Sequence, residues 1–521
     1  MSRFLCAALL VWSLLGQAQQ PGPHAIRVER MRADIGFLSS DALEGRRSLE
    51  RGAEVAVQFI AAEFAKAGLR PAGGDSYIQP VPVIEYRLKP EVRRLAVRTD
   101  GRARQLEAGK DFSGTFHQNV KVSAPVVFAG YGITAPEFGY DDYAGLDAQG
   151  KIVLVFDHEP QETDPASVFH GLGNTIYSSP QAKILNAQRH GAVAVLTVAE
   201  PNRKHPSTLE RMARVPGGRQ RAASPASQVL ADTERRIPSF SVSDAVAVDL
   251  LATTGRKPGE IQAAIDVSLK PASQALPGVS VELGIEVGES RRTATANVAG
   301  VLEGSDPKLR EETIIFGAHY DHLGMRGSSV LPGADDDASG TAAIIELARV
   351  FAAATERPRR TLVFVAFGAE EAGLLGSYYY AMRPAHPLEK TRGVFSLDMI
   401  GRDEKPSAQT KGLIEIAEDT SNEVNFIGLK SSPGLRPLIE AANREVGLRL
   451  SHKWDDDSAL SVMWRSDHYP FLLRGVPAVW VFNGFTPDYH QPSDTIEKLN
   501  FAKMETIVRL VYLAGRSLAQ Q

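Results

Sequence analysis

The sequence predicts an α/β protein with a mixed, mostly parallel sheet flanked by helices and with a β-rich domain inserted into it. From residue 293 onward, short apolar runs of strand composition alternate with helical stretches, which is typical of a sheet covered on both faces. Before that point, the stretch 118–285 is dominated by β-type runs. The chain also has 521 residues, more than one domain usually contains.

Residues 1–18 have the composition of a signal peptide. Arg3 supplies a positive start, and the apolar stretch 4–15 is too short to span a bilayer. Small residues then lead to Ala18, after which we expect cleavage and export to the periplasm or the medium. The single cysteine of the chain, Cys6, lies in this segment. The mature protein would therefore have neither disulfides nor thiolate ligands.

Residues 19–117 are assigned to the first part of the main domain. Apolar residues recur at helical spacing over 51–69, and a glycine stands near the end of that stretch, so we expect a helix there. The runs 77–86 and 92–97 have the composition of strands.

Residues 118–285 are assigned to the inserted domain. Strands are predicted over 120–131, 150–156 and 192–198, a helix over 181–189, and a further helix over 243–254. The stretch 200–228 is rich in Arg, Pro, Ser and Gly and is expected to be a solvated loop.

Residues 286–521 are assigned to the second part of the main domain. Its apolar runs are bounded by turn residues and alternate with helical patterns. The predicted strands are 297–302, 313–318, 361–367, 393–397 and 478–482, and the predicted helices are about 339–354, 374–382, 433–447 and 501–518.

The overall composition is that of an ordinary globular protein, with 43% hydrophobic and 23% charged residues. The net charge of −4 does not favour nucleic acid or an anionic membrane as a partner. After the N-terminal segment, no stretch approaches the length of a transmembrane helix. We therefore expect neither nucleic-acid binding nor stable membrane insertion, and the oligomeric state stays open.

Ionisable side chains stand at or just beyond the ends of the predicted strands. Loops at strand ends are where α/β folds place their chemistry. Two imidazoles and several carboxylates without cysteine suit a pair of divalent metal ions, zinc above all. The segments are Gly317–His322, Pro332–Gly340, Phe367–Leu374, Leu397–Met399 and Tyr489–Thr495.

Two of these segments predict specific roles. His319 and Asp321 are two residues apart at a strand end, so their side chains leave on the same side. His319 can bind a metal, and Asp321 is placed to hydrogen-bond the other ring nitrogen. Asp335 begins three consecutive aspartates whose mutual repulsion a cation would relieve. Its carboxylate can bridge two metals.

In this order, the five segments resemble those of the M28 family of co-catalytic zinc exopeptidases. The stretches 38–41 and 45–47, followed by the helix that ends near residue 69, are similar to the N-terminal opening of that family. Within the insert, the segments 130–133 and 141–146 resemble a protease-associated (PA) domain.

The resemblance implies a dinuclear zinc centre. Asp335 would bind both ions, one together with Glu371 and His490, the other together with His319 and Asp398. The family also has a non-proline cis peptide just after its bridging aspartate, which would be the bond 335–336 here.

The resemblance also implies roles in the reaction. Glu370 would be the general base that takes a proton from a metal-bridging water and passes it to the leaving amine. Tyr489 would donate a hydrogen bond to the substrate carbonyl oxygen as that oxygen gains charge. Asp467 and His468 would lie beside the substrate pocket, where they would either contact the substrate or support the residues that do.

The function implied is that of an exported zinc aminopeptidase with peptide substrates. Three alternatives stay open. A carboxypeptidase of the same family would need a basic pocket, and no Arg/Lys cluster lies near the motifs. A glutaminyl cyclase usually has tryptophan where Tyr489 stands, and it uses one zinc. A non-catalytic binding module would be expected to have lost ligands or the base.

Overall fold

The computed structural model describes residues 22–89, 93–207, 210 and 226–521. The predicted signal peptide, 1–18, lies outside these residues. In the part of the chain that is described, no helix combines the length and the apolar character needed to cross a membrane.

Strands predominate up to residue 330, and strands and helices alternate from residue 340 onward. In chain order, the strands are β1 Arg70–Pro71, β2 Ile78–Leu88, β3 Arg94–Thr99, β4 Arg102–Gln105, β5 Phe112–Ser113, β6 Val120–Phe128, β7 Thr134–Ala135, β8 Tyr140–Asp141, β9 Ile152–Phe156, β10 Ala194–Val198, β11 Ser227–Leu230, β12 Ser239–Val242, β13 Gln274–Ile285, β14 Val287–Leu302, β15 Thr313–His319, β16 Met325–Arg326, β17 Ser329–Val330, β18 Thr361–Phe367, β19 Thr391–Leu397, β20 Glu423–Ile427, β21 Arg449–Ser451 and β22 Ala478–Phe482. The helices are α1 Val28–Leu38, α2 Arg51–Lys66, α3 Pro180–Arg189, α4 Asp244–Leu251, α5 Pro258–Ser268, α6 Gly340–Ala352, α7 Leu375–Met382, α8 Arg436–Val446, α9 Tyr469–Leu472 and α10 Phe501–Gln520.

A large mixed sheet forms the main domain, as the sequence predicts, but its parallel pairs are confined to the centre and one edge and are not the majority. Its strand order is β11-β2-β14-β18-β15-β19-β22-β20-β21, with β1 paired to β14. The central strands β18, β15, β19 and β22 pair in parallel, and so do β20 and β21. The pairings of β2 with β14, β14 with β18, and β20 with β22 are antiparallel. The parallel centre brings the carboxyl ends of four strands to one edge of the sheet.

Both faces of this sheet are buried, because successive strand residues point to opposite sides. Phe316 of β15 lies in a core with helices α1, α2, α6 and α10. Its neighbour Ile315 lies in a second core on the other face, with Phe471 and Trp454. The strands are apolar along their whole length because both of their faces are buried.

A second sheet forms the inserted domain and begins earlier in the chain than the predicted boundary at 118. Its strand order is β4-β3-β13-β6-β9-β10-β12-β5. Strand β3 pairs with β13, with Leu95 opposite Leu283, and Leu95 and Val97 are buried in the core of this sheet. We assigned β3 to the main domain because its partner, β13, is far away in the sequence and the local pattern gives no sign of the pairing. The predicted end at 285 coincides with the end of β13.

The described ends of the expected solvated loop 200–228 are only partly solvated. Asn202, Lys204 and Ser227 are exposed. Glu200 is buried, and the side chain of His205 is only 6% exposed. At the other end, β11 returns to the main domain and pairs antiparallel with β2 at the edge of the large sheet.

The inserted domain also packs against loops of the main domain. The Tyr469 hydroxyl donates to the carbonyl oxygen of Ile176 at 2.9 Å. The Lys430 ammonium donates to the carbonyl oxygen of His170 at 2.8 Å. These contacts fix the insert beside the segment 455–474, which borders the site described next.

Candidate metal centre and catalytic site

The predicted site residues converge at the carboxyl end of the parallel strands. His319 ends β15, Glu370 and Glu371 follow β18, and Asp398 follows β19. His490 comes from the loop after β22. The parallel pairing of the first three strands is what brings these distant segments together.

One group of possible ligands contains His319, Asp336 and Asp398. His319 Nε2 lies 3.3 Å from Asp336 Oδ1 and 3.6 Å from Asp398 Oδ1. All three side chains are buried. Ligand atoms of the three residues lie within 4.8 Å of one another, which is close enough to hold one ion.

A second group surrounds the other oxygen of Asp336. His490 Nε2 lies 3.0 Å from Asp336 Oδ2 and 3.1 Å from Glu371 Oε1. His322 Nδ1 lies 2.9 Å from the same Glu371 oxygen, and ligand atoms of His322, Asp336 and Glu371 lie within 4.8 Å of one another. Asp336 therefore presents one carboxylate oxygen to each group, which is the arrangement of a bridging ligand.

Asp335, the predicted bridging residue, belongs to neither group. Its Oδ1 accepts a hydrogen bond from the backbone N–H of Gly401 at 2.7 Å. Its backbone carbonyl oxygen accepts from the Ser339 hydroxyl at 2.7 Å. Asp335 thus ties the turn before α6 to the loop after β19, and the sequence prediction is one residue too early.

The third aspartate of the run, Asp337, also has a separate role. Its carboxylate accepts hydrogen bonds from the backbone N–H groups of His319, Gly340 and Met399, at 3.1, 2.9 and 3.1 Å. The cis peptide lies between Asp336 and Asp337, not between Asp335 and Asp336 as expected. The resemblance implies a cis peptide directly after the bridging aspartate. The observed bond has that position if the bridging aspartate is Asp336.

His322 is a residue that the sequence prediction left without a role. It is fully buried between Asp336 and Glu371, and its ring centre lies 5.6 Å from that of His490. Although Nδ1 lies close to Glu371, neither ring nitrogen has the alignment of a hydrogen bond. A buried imidazole in this state suits a metal ligand. Its position three residues after His319, in the same motif, was the available signal.

The carboxylate of Asp321 acts on a different partner from the one predicted. His319 Nδ1 lies 3.1 Å from the backbone carbonyl oxygen of Asp321 and 4.0 Å from its carboxylate. The carboxylate instead accepts a hydrogen bond from the backbone N–H of Glu370 at 3.0 Å. Asp321 therefore orients both His319 and the loop that carries Glu370.

Glu370 lines the cleft but belongs to neither group of ligands. Its Oε2 lies 3.9 Å from His319 Nε2, and its side chain is 10% exposed. Burial raises the pKa of Glu370 well above its ordinary value, and the nearby carboxylate of Glu371 raises it further. A carboxylate beside the cleft, outside both groups of ligands, is placed to accept a proton from a substrate or water there.

The backbone is strained at three of the loops that form the site. Ala369, Met399 and His490 have φ values of 57°, 58° and 59°, in the left-handed region that side-chain-bearing residues rarely adopt. Such residues cost on the order of 1–3 kcal/mol each and are concentrated at functional sites. Their positions next to Glu370, next to Asp398 and at the ligand-bearing His490 fit that pattern.

Tyr489 lies at the cleft with an unpredicted partner, Arg465. The ring of Tyr489 stacks on His490 at a centroid distance of 3.6 Å. The guanidinium of Arg465 lies 3.3 Å from the Tyr489 hydroxyl oxygen, and both residues line the cleft. The pair places a phenol and a cation beside the groups of possible ligands.

Asp467 and His468 do not line the cleft as predicted. Both are fully buried, and His468 packs against Trp480 with ring centres 5.9 Å apart. Their neighbour Ser466 does reach the site, because its hydroxyl donates to Asp398 Oδ2 at 2.6 Å. The segment supports the site from beneath and leaves substrate contact to other residues.

Arg46, from the N-terminal stretch 45–47, connects that stretch to the loops of the site. Its guanidinium is fully buried and donates to the backbone carbonyl oxygens of Tyr320, Pro332 and Gly333 at 2.7, 2.7 and 2.9 Å. Burial lowers the pKa of Arg46 to about 10. The residue joins the segment before α2 to the two loops that carry His322 and Asp336.

These residues fit two zinc ions. The donors are imidazoles and carboxylates, which zinc accepts, and the two groups share Asp336. Such a concentration of buried carboxylates is costly unless cations balance it.

Comparison with known proteins gives two family matches. Residues 297–514 match the model of peptidase family M28, and residues 122–250 match that of the PA domain. The first match contains every candidate ligand of the metal centre. The second lies between β3 and the end of β13, the range of the chain that contains the second sheet.

Curated relatives match part of the chain. A probable zinc metalloprotease of Leptosphaeria maculans is 28% identical over 255 residues, covering 45% of this chain and 54% of the relative. Aminopeptidase YwaD of Bacillus subtilis is 27% identical over 225 residues, covering 42% and 43%. The chain thus spans about half the length of these relatives.

Similarity to a solved structure extends over nearly the whole length of the chain. The aminopeptidase from Aneurinibacillus sp. strain AM-1 superimposes with a TM-score of 0.51 at 24% identity, covering 96% of this chain and 95% of the other. At this identity, the similarity shows that the fold is shared.

Proposed function

The chain carries a peptidase family M28 domain and a PA domain, and from these we propose that it is a dinuclear zinc aminopeptidase. The observation that carries the proposal is the position of Asp336, whose two carboxylate oxygens face two separate groups of possible ligands. The names of the matched relatives, a zinc metalloprotease and an aminopeptidase, agree with it.

In this proposal, the ligands divide between two ions. His319, Asp336 and Asp398 would hold one ion. Asp336, Glu371 and His490 would hold the other, with His322 close to them. When bound, zinc supplies Lewis-acid polarisation of a carbonyl group and lowers the pKa of a coordinated water.

The residues of the cleft then perform the proton transfers. Glu370 accepts the proton of the attacking water and returns it to the amine that leaves, so that one amino acid and a shortened peptide are released. The Tyr489 hydroxyl donates to the carbonyl oxygen as charge develops there, and the Arg465 guanidinium lies beside that hydroxyl. Asp321 holds the Glu370 backbone in position.

A panel of blocked peptides tests the reaction. We expect hydrolysis of peptides with a free N-terminus, including those with an amidated C-terminus, because an aminopeptidase recognises only the amine end. Peptides with an acetylated N-terminus should be cleaved very poorly. Chelation should abolish the activity, and added zinc should restore it.

The opposite outcomes favour the alternatives. Cleavage of acetylated but not of amidated peptides would indicate a carboxypeptidase. Cyclisation of N-terminal glutamine without hydrolysis would indicate a cyclase, and no turnover by zinc-loaded protein would indicate a binding module.

We further propose that the protein is exported. The support is the charge and apolar pattern of residues 1–18. The mature protein isolated from its natural host should lack these residues by mass spectrometry. A full-length chain retained inside the cell would contradict this.

A further inference from the structure

A second cluster of metal-binding side chains lies in the inserted domain, outside the M28 site. His158 and Glu162 follow β9, and Glu200 and His205 follow the neighbouring parallel strand β10. Ligand atoms of all four residues lie within 4.8 Å of one another. Their side chains are 2%, 9%, 3% and 6% exposed, in that order. The cluster is a closed, buried group.

The two imidazoles converge on the carboxylates. The rings of His158 and His205 stack with centroids 4.5 Å apart. Glu162 presents one oxygen to His158 Nδ1 and the other to His205 Nε2, the second at 2.8 Å. His158 Nδ1 also lies 3.5 Å from Glu200 Oε1.

The outward-facing ring nitrogens have partners that orient both rings. His158 Nε2 lies 3.3 Å from the Ser461 hydroxyl oxygen. His205 Nδ1 lies 3.1 Å from the carbonyl oxygen of Pro206. If each of these nitrogens carries the ring proton, the inner nitrogens hold lone pairs aimed at the cluster. Metal-binding histidines are usually held in this way by their outer nitrogen.

Glu200 supplies an independent sign of a missing partner. Its Oε1 is buried within the cluster and accepts no hydrogen bond. A buried carboxylate oxygen without a donor is costly. With neutral imidazoles, the two carboxylates carry the charge that one divalent cation would balance.

We propose that His158, Glu162, Glu200 and His205 form a third divalent-cation site, located in the inserted domain. A donor set of two imidazoles and two carboxylates in a compact group favours zinc. The site is separate from the dinuclear centre of the proposed function and does not depend on it.

The position of the cluster indicates what the ion does. His158 touches the main domain through Ser461 and meets the ring of Trp464 edge-on, with centroids 5.9 Å apart. The next residue, Arg465, lines the catalytic cleft beside Tyr489. An ion in the cluster would therefore stabilise the contact between the insert and the segment that positions Arg465.

Counting zinc ions in two variants tests the site. Asp336→Asn removes the shared ligand of the catalytic centre and should leave about one tightly held zinc per chain, whereas wild type holds about three. Glu162→Gln/Glu200→Gln keeps the shapes of the side chains and should lower the content by about one ion. Combining all three substitutions should remove zinc almost completely. The content is measured by elemental analysis after dialysis against free zinc at micromolar concentration.

The same proteins give a second readout. Added zinc should raise the melting temperature of the Asp336→Asn protein and have no such effect once Glu162 and Glu200 are also replaced. A zinc-free Asp336→Asn protein, or wild-type zinc content in the Glu162→Gln/Glu200→Gln protein, would overturn the third site. Each comparison measures the difference in zinc content between two proteins. A catalytic centre with fewer than two ions would lower the wild-type total but would not change the loss of one ion caused by Glu162→Gln/Glu200→Gln. If the double variant does not fold, the Asp336→Asn arm still decides.

Discussion

Replacing Asp336 by asparagine should lower the zinc content by about two ions per chain and reduce peptide hydrolysis to background. The side chain keeps its shape, but one carboxylate oxygen becomes an NH₂ group that cannot bind a cation. Since Oδ1 faces His319 and Oδ2 faces His490, the loss affects both groups of ligands. Replacing a residue that only hydrogen-bonds to a metal ligand typically lowers metal affinity or activity by roughly 10–100-fold. Replacing a ligand that both ions share should cause a larger loss.

Asp335→Asn is the matched control, because it makes the same chemical change one residue earlier. Asp335 accepts a hydrogen bond from the backbone of Gly401 and belongs to neither group of ligands. An asparagine there can still accept that bond through its amide oxygen. We expect near-normal zinc content and a smaller loss of activity. If Asp335→Asn released the zinc and Asp336→Asn retained it, the bridging role would belong to Asp335.

The sequence could not distinguish which of these two aspartates faces the groups of metal ligands. Composition and position located three acidic residues just before a predicted helix, but adjacent identical residues share the same local context. Which one faces the metal depends on partners far away in the chain. The amides of Gly401 and Met399 hold Asp335 and Asp337, and Asp336 remains for the histidines. No local pattern contains that information.

The strands that carry the site were predictable for a physical reason. Strands β18 and β22 occupy the residues that the sequence predicts, 361–367 and 478–482. They are buried on both faces, so their sequences are continuously apolar and end abruptly at polar loops. Strand β20 was missed, because its Glu423 and Asn425 interrupt the apolar run although both are buried.

Long-range pairing explains the remaining errors. Strand β3 belongs to the insert only because β13 lies beside it, about 180 residues later in the chain. Glu200 and His205 stand at the start of a stretch with loop composition, yet they are buried against His158 and Glu162. Burial of a polar residue by a distant segment leaves no periodic signal in its own sequence.

Glu370→Gln should separate metal binding from catalysis. Glutamine has nearly the same shape as glutamate but cannot accept the proton of the attacking water. We expect turnover to fall by at least about 10²-fold. The zinc content should stay close to that of the wild type, because Glu370 belongs to neither group of ligands. Turnover is measured with a free-amine peptide under saturating zinc, and the metal is counted in the same sample.

Glu371→Gln gives the contrast that makes this result specific. The two residues are neighbours on the chain, so both substitutions disturb the same loop. Glu371 Oε1, however, lies 3.1 Å from His490 Nε2 and 2.9 Å from His322 Nδ1, within the second group of ligands. The Glu371→Gln protein should therefore lose zinc together with activity, and excess zinc should restore part of both. Excess zinc should not help Glu370→Gln, because a proton acceptor is missing there. Nearly full activity in the Glu370→Gln protein would show that another group, among those facing the cleft, takes the proton.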